Sequence, residues 1–188
     1  MEPVVVVALI TAAVTALGWL VTSSLSRQRE ERKAKLEANL AFVERQLEEL
    51  YGPLVALMYE GRQIFQELLR TLGRNHVFTG DQPLSKDEQR TWVYWAEKSF
   101  LPRNKLIRDL LTSKPHLVEG KDFPKSYITF LQHQSSWAIH HQRWLDQAVT
   151  YQWHAPVNWP TDFEQDVIQT FKALKTRHSD LLGILQGK

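Results

Sequence analysis

The sequence predicts an all-α fold: an N-terminal transmembrane helix that continues into a kinked long helix, which packs in a cytosolic helical bundle. Three observations predict it. Val4 to Leu25 contains no charged residue, the next stretch carries apolar residues at spacings of 4 and 3, and no segment alternates at period two for the length of a strand. The expected organisation is an anchor over 1–25, a basic juxtamembrane linker over 26–35 and a bundle domain over 36–188.

The apolar run is about 22 residues, or roughly 33 Å as a helix, against a hydrocarbon core of about 30 Å. A cleaved signal peptide would carry positive charge ahead of the run, and only Glu2 stands there. Arg27, Arg29, Arg32, Lys33 and Lys35 follow it, with Glu30 and Glu31 among them. The positive-inside rule therefore places the N-terminus outside and the C-terminal part in the cytoplasm, at the cell (inner) membrane. The same five bases can meet anionic lipid headgroups, or act as a simple stop-transfer signal. Within the span, Ala8, Thr11, Thr15, Gly18 and Thr22 fall on one face. Small residues let membrane helices approach closely, so this is a candidate oligomer face, although such residues are also ordinary filler.

Beyond the linker the apolar positions are Leu36, Leu40, Val43, Leu47, Leu50, Leu54 and Leu57, then Gly61, Ile64 and Leu68. Nothing between Ser26 and Lys35 breaks a helix, so the span is expected to run straight into this seam. A heptad seam serves an intermolecular coiled coil or one helix of a bundle. The later helices supply partners in the same chain, which favours the bundle. Tyr51-Gly52-Pro53 interrupts the chemistry but not the register, and a proline that removes one backbone bond predicts a kink or short break, with Gly52-Pro53 a candidate hinge.

Gly73 to Pro83 reads as a loop. Ser85 with Glu88 forms a capping-box signature for a helix carrying Trp92, Trp95 and Phe100, with Pro102 at its end. A shorter helix is expected over Asn104 to Leu111, with Leu106, Ile107, Leu110 and Leu111 on one side. Thr112 to Phe123 is a second loop. Asp122 and Pro124 then open a helix to about Ala148, whose apolar face holds Tyr127, Phe130, Leu131, Trp137, Ala138, His141, Trp144 and Leu145. Thr161 with Glu164 repeats the box ahead of Val167, Phe171, Leu174, His178, Leu181 and Leu185.

Function is less legible. Lys and Arg total 23 against 21 Asp and Glu, so no global field points to nucleic acid. Absence of cysteine excludes disulfides, thiolate metal sites and cysteine nucleophiles. His133, His140 and His141 share a helix at spacings that match neither H-E-x-x-H nor E-x-x-H. His141 and His178 stand on apolar faces, where a core histidine with one bonded nitrogen is the ordinary role and pH sensing the alternative. No nucleophile elbow, phosphate loop or dinucleotide fingerprint occurs. No catalytic residue, cofactor or metal ligand is assigned, and the chain is not expected to be an enzyme.

The aromatic content carries more. Trp137, Trp144, Tyr151, Trp153 and Trp159 fall within 23 residues, and a loop of apolar rings needs something to cover it. Trp153, His154, Val157, Asn158 and Trp159 are the candidate partner-binding residues, with bundle core as the alternative for the rings. Leu50-Tyr51-Gly52-Pro53-Leu54, after a membrane helix and a basic linker, resembles a pattern in small bacterial single-pass helical proteins of unassigned activity. The resemblance covers roughly residues 4–70 and implies an inner-membrane setting with no catalytic residue. The expected function is a membrane-tethered helical interaction module or a subunit of a larger membrane assembly, with a protein partner or a homo-oligomer. The alternatives are an oligomeric membrane sensor or effector, as in stress or phage defence, and a bundle enzyme whose site no motif marks.

Overall fold

The computed structural model describes residues 3–78, 83–151 and 157–187, with side chains from residue 17 onward. Among these residues every regular element is helical: α1 (Pro3–Arg45), α2 (Gly52–Leu72), α3 (Lys86–Trp95), α4 (Leu101–Ser113), α5 (Lys125–Gln147) and α6 (Thr161–Leu185). The all-α expectation holds. The chain divides into two compact units, Met1–Val43 with Arg177–Lys188, and Glu44–Thr176.

In the first unit, α1 is a continuous helix through the basic linker, as the lack of breakers predicted. Leu17, Trp19, Leu20, Val21 and Leu25 are all more than half exposed. Of the expected small-residue face, Gly18 and Thr22 are exposed, and the Thr22 hydroxyl donates to the Gly18 carbonyl at 2.7 Å. Ala8, Thr11 and Thr15 lie outside the residues with described side chains. Among the described residues no helix is long and apolar enough to cross a membrane. Most of the run 4–25 falls outside that description. The five bases of the linker are exposed, and in the same unit Arg177 donates to Asn39 at 2.8 Å.

In the second unit, two helix junctions share one device. Gln46–Tyr51 and Ala96–Phe100 are π turns, each followed one residue later by a proline near the start of the next helix. Proline offers no N–H to the i→i−4 ladder and crowds the preceding turn. A π turn widens that turn, so the Gly52 amide bonds to Leu47 O and the Leu101 amide to Ala96 O. One expectation changes as a result: Pro102 does not end its helix, because α3 and α4 run on through the second π turn. Of the kink or short break expected at Gly52-Pro53, the break is absent, and a π turn, one of the devices that accompany helix kinks, stands there instead. The expected seam largely holds: Val43, Leu50, Leu54, Gly61 and Leu68 are buried, with Gln46, Tyr51, Val55 and Met58 buried beside them, while Leu47, Leu57 and Ile64 are half-buried.

The caps are mixed. Ser85 and Glu88 form the predicted capping box, and Gly73 ends α2 in the left-handed conformation. Pro124, not Asp122, precedes α5, with no side-chain cap. Ala148 ends α5 at a φ of 51°, where glycine is the usual residue. Glu164 meets Arg62 across the unit. Along α5 the buried positions are Ser126, Tyr127, Phe130, His133, Gln134, Trp137 and His141. Leu145, expected inside, is exposed, as is Leu106 of α4.

Candidate functional site

The second unit holds two polar clusters, one at each π turn. At the first turn, the fully buried Gln46 donates its amide to Leu117 O at 3.0 Å and to Glu119 Oε2 at 2.8 Å. The Tyr51 hydroxyl accepts from Glu119 N at 2.9 Å, and Lys114 Nζ donates to Glu49 O at 2.9 Å. These bonds tie the short helical turn Pro115–Leu117 and the residues around it onto the π turn. Tyr51 also shares a hydrogen bond with Tyr127, and burial pushes both phenols above their ordinary range. The cluster is a structural clamp.

The second turn faces a cavity of about 320 Å³. Leu57, Met58, Gly61, Arg62 and Phe65 of α2 form one wall, and Trp92, Phe100, Arg103 and Asn104 of the α3–α4 rod form another. His133 and Trp137 of α5, Trp159, and Glu164 of α6 complete it. The rings form one connected cluster. Trp92 stacks on Trp137 at 6.0 Å between centroids, Phe100 lies 5.6 Å from Trp92, and His133 is 5.7 Å from Trp137 and 5.6 Å from Trp159. Phe130 stacks on Phe163 at 4.5 Å behind Trp159. Arg62 and Phe65, both exposed, mark the mouth.

Arg103 is the distinctive group in this wall. Its guanidinium lies 5.6 Å from the Phe100 centroid and 5.7 Å from that of Trp159. Such stacking suits a planar cation. One edge contact goes to Asn104 Oδ1, at 3.2 Å. Arg103 Nε and Asn104 Nδ2 are buried without an acceptor. Burial holds the guanidinium below its ordinary pKa, and Glu60 and Glu164 only partly oppose that from a distance. Gly61 makes room for it, since a Cβ there would collide with the guanidinium.

His133 donates Nδ1–H to Val157 O at 2.6 Å, and burial with Arg103 nearby lowers its pKa, so the ring is neutral at pH 7. His141 is likewise buried, between Glu97 (3.4 Å) and the Tyr151 hydroxyl (3.4 Å). Among the described residues no cluster of ligating side chains could hold a metal ion.

Of the candidate partner-binding residues, Trp159 is half-buried in the cavity wall, and Val157 supplies the carbonyl that orients His133. Asn158 is exposed, while Trp153 and His154 lie outside the described residues. Arg103 and Asn104 were not singled out from the sequence. Their only signal was a basic-polar pair beside a proline on an otherwise apolar face. No protein-family model, curated protein or solved structure matches the chain.

Proposed function

We propose that the protein is a membrane-tethered helical interaction module that captures an apolar group in the aromatic cavity of the Glu44–Thr176 unit. One observation carries the reading: a preformed cavity of about 320 Å³, in the size range of ligand pockets, walled by rings and holding a half-buried arginine with no carboxylate bonded to it among the described residues. What the wall offers is stacking surface and hydrogen-bond donors, which suits holding a partner or ligand rather than transforming it. The tether rests on the charge-free run 4–25 and the bases after it. The large apolar side chains described between Leu17 and Leu25 are exposed all round the helix, and lipid or a second copy of it would cover them.

The test has two arms. The full chain should stay with membranes through alkaline carbonate extraction, and deletion of residues 4–25 should release it. Release of the intact chain would remove the tether. For the cavity, N-phenyl-1-naphthylamine should bind saturably to the purified full chain above a detergent blank, and Leu57→Trp should abolish that binding at an unchanged unfolding midpoint. Binding indifferent to the substitution would remove the site.

A further inference from the structure

We infer that the cavity is a binding site for an organic monoanion with a flat apolar body, of the aromatic carboxylic acid class, and that Arg103 is its anchor. The inference rests on the proposed capture of an apolar group and names the chemistry of that group.

A guanidinium partly withdrawn from water without a paired carboxylate is costly, and so is a buried donor without an acceptor. Both occur just after the second π turn, in the first residues of α4, at Arg103 Nε and Asn104 Nδ2. Both orphans are donors on adjacent residues, so what they lack is an acceptor. A carboxylate supplies two acceptor oxygens and the missing negative charge at once. The guanidinium carbon lies over the rings of Phe100 and Trp159. Its N–H groups point outward in the guanidinium plane, the edge by which arginine takes carboxylates.

Charge count limits the ligand to one negative charge. Arg62 is paired with Glu164, His133 is neutral, and Arg103 feels Glu60 and Glu164 only from a distance, with no carboxylate bonded to it among the described residues. Two arginines face two glutamates, so there is no surplus of positive charge to hold a second negative charge, and a dianion would meet the repulsion of both glutamates. The body is set by the other walls, where Trp92, Phe100, Trp137 and Trp159 offer surfaces for offset or edge-on packing of a flat ring system. Gly61 is part of the design, because any side chain there would push the guanidinium away.

The experiment is calorimetric titration of the purified full chain in non-ionic detergent with naphthalene-2-carboxylate and, separately, its neutral analogue naphthalene-2-carboxamide, each against a detergent blank. The carboxylate should bind at least tenfold more tightly. Arg103→Met should erase that preference while leaving carboxamide binding in place. Gly61→Ala, which displaces the guanidinium without removing it, should reduce the preference in the same direction and serves if Arg103→Met does not fold. Equal affinity for both probes, or a preference that survives both substitutions, would overturn the anion inference while leaving the cavity as an apolar site. No saturable binding of either probe would overturn both this inference and the proposed capture.

Discussion

The two π turns arise from the same local cause and end in opposite electrostatic states. Each widens the helix ahead of a proline, at Pro53 and at Pro102, and each brings a fully buried amide side chain inward, Gln46 and Asn104. At the first turn the inward amide nitrogen meets two acceptors from the Leu117–Glu119 segment, leaving only its Oε1 without a partner. At the second, the corresponding nitrogen and the neighbouring Arg103 Nε meet none, and a cavity stands beside them. The difference teaches where to look for function. A polar group satisfied within the chain is accounted for by folding, whereas an adjacent pair of donors without acceptors beside a cavity marks a place that water or a ligand can complete.

The comparison is broken most directly by removing a polar group from each turn. Gln46→Ala should destabilise the protein by about 2–4 kcal/mol, since it deletes two buried bonds and leaves a void. Arg103→Met, measured by the same denaturant titration without ligand, should leave stability unchanged or raise it by up to about 1 kcal/mol, because an unpaired cation is replaced by an apolar chain of similar reach. A large loss at Arg103 would make the second cluster structural like the first. Gly52→Ala sharpens the contrast in the backbone. Its Cβ would lie 2.6 Å from Leu47 O, so a loss of about 1–2 kcal/mol is expected, although Leu101 carries a side chain at the same place before Pro102.

A smaller effect separates the turns by pH. The His133 pKa is held below its ordinary 6.5, first by burial and then by Arg103, against the pull of its bond to Val157. A base depressed on folding contributes stability that is complete above the unfolded value and is lost as pH falls through the folded one. Stability should therefore drop between pH 7.5 and 5, less steeply in His133→Asn and in Arg103→Met, and with no such change in Gln46→Ala. An identical slope in all four proteins would detach His133 from the cavity. The smallest effect lies away from both turns. Ala148 holds a φ of 51°, so Ala148→Gly should raise the unfolding midpoint, by an amount corresponding to about 0.5–1 kcal/mol.

How much of this was legible varies by element. The Ser85–Glu88 box and the Gly73 cap were readable because their determinants lie within a few residues of each other. The continuity of α1 was readable from the absence of breakers. The outcome at Pro53 and Pro102 was not, because a proline excludes the regular ladder without dictating whether the chain stops or widens, and tertiary packing on both sides of each junction decides that. The buried face of α2 kept Leu54, Gly61 and Leu68 of the expected seam and widened to take in Val55 and Met58, which a pattern of spacings alone does not reveal. Trp159 was noticed for its chemistry but not for its place, because composition does not reveal that Phe130, His133 and Phe163 pack against it.

By itself, the sequence determined the helical class, the Ser85–Glu88 capping box, the charge-free N-terminal run with its basic flank, and the exclusion of thiol chemistry, all of them local patterns of side-chain size and charge. Only the tertiary structure decided which buried polar groups find partners. That depends on residues far apart in the chain, Gln46 meeting an acceptor from Leu117 in one case, and Arg103 packing beside Gly61 and Trp159, neither of which supplies it an acceptor, in the other.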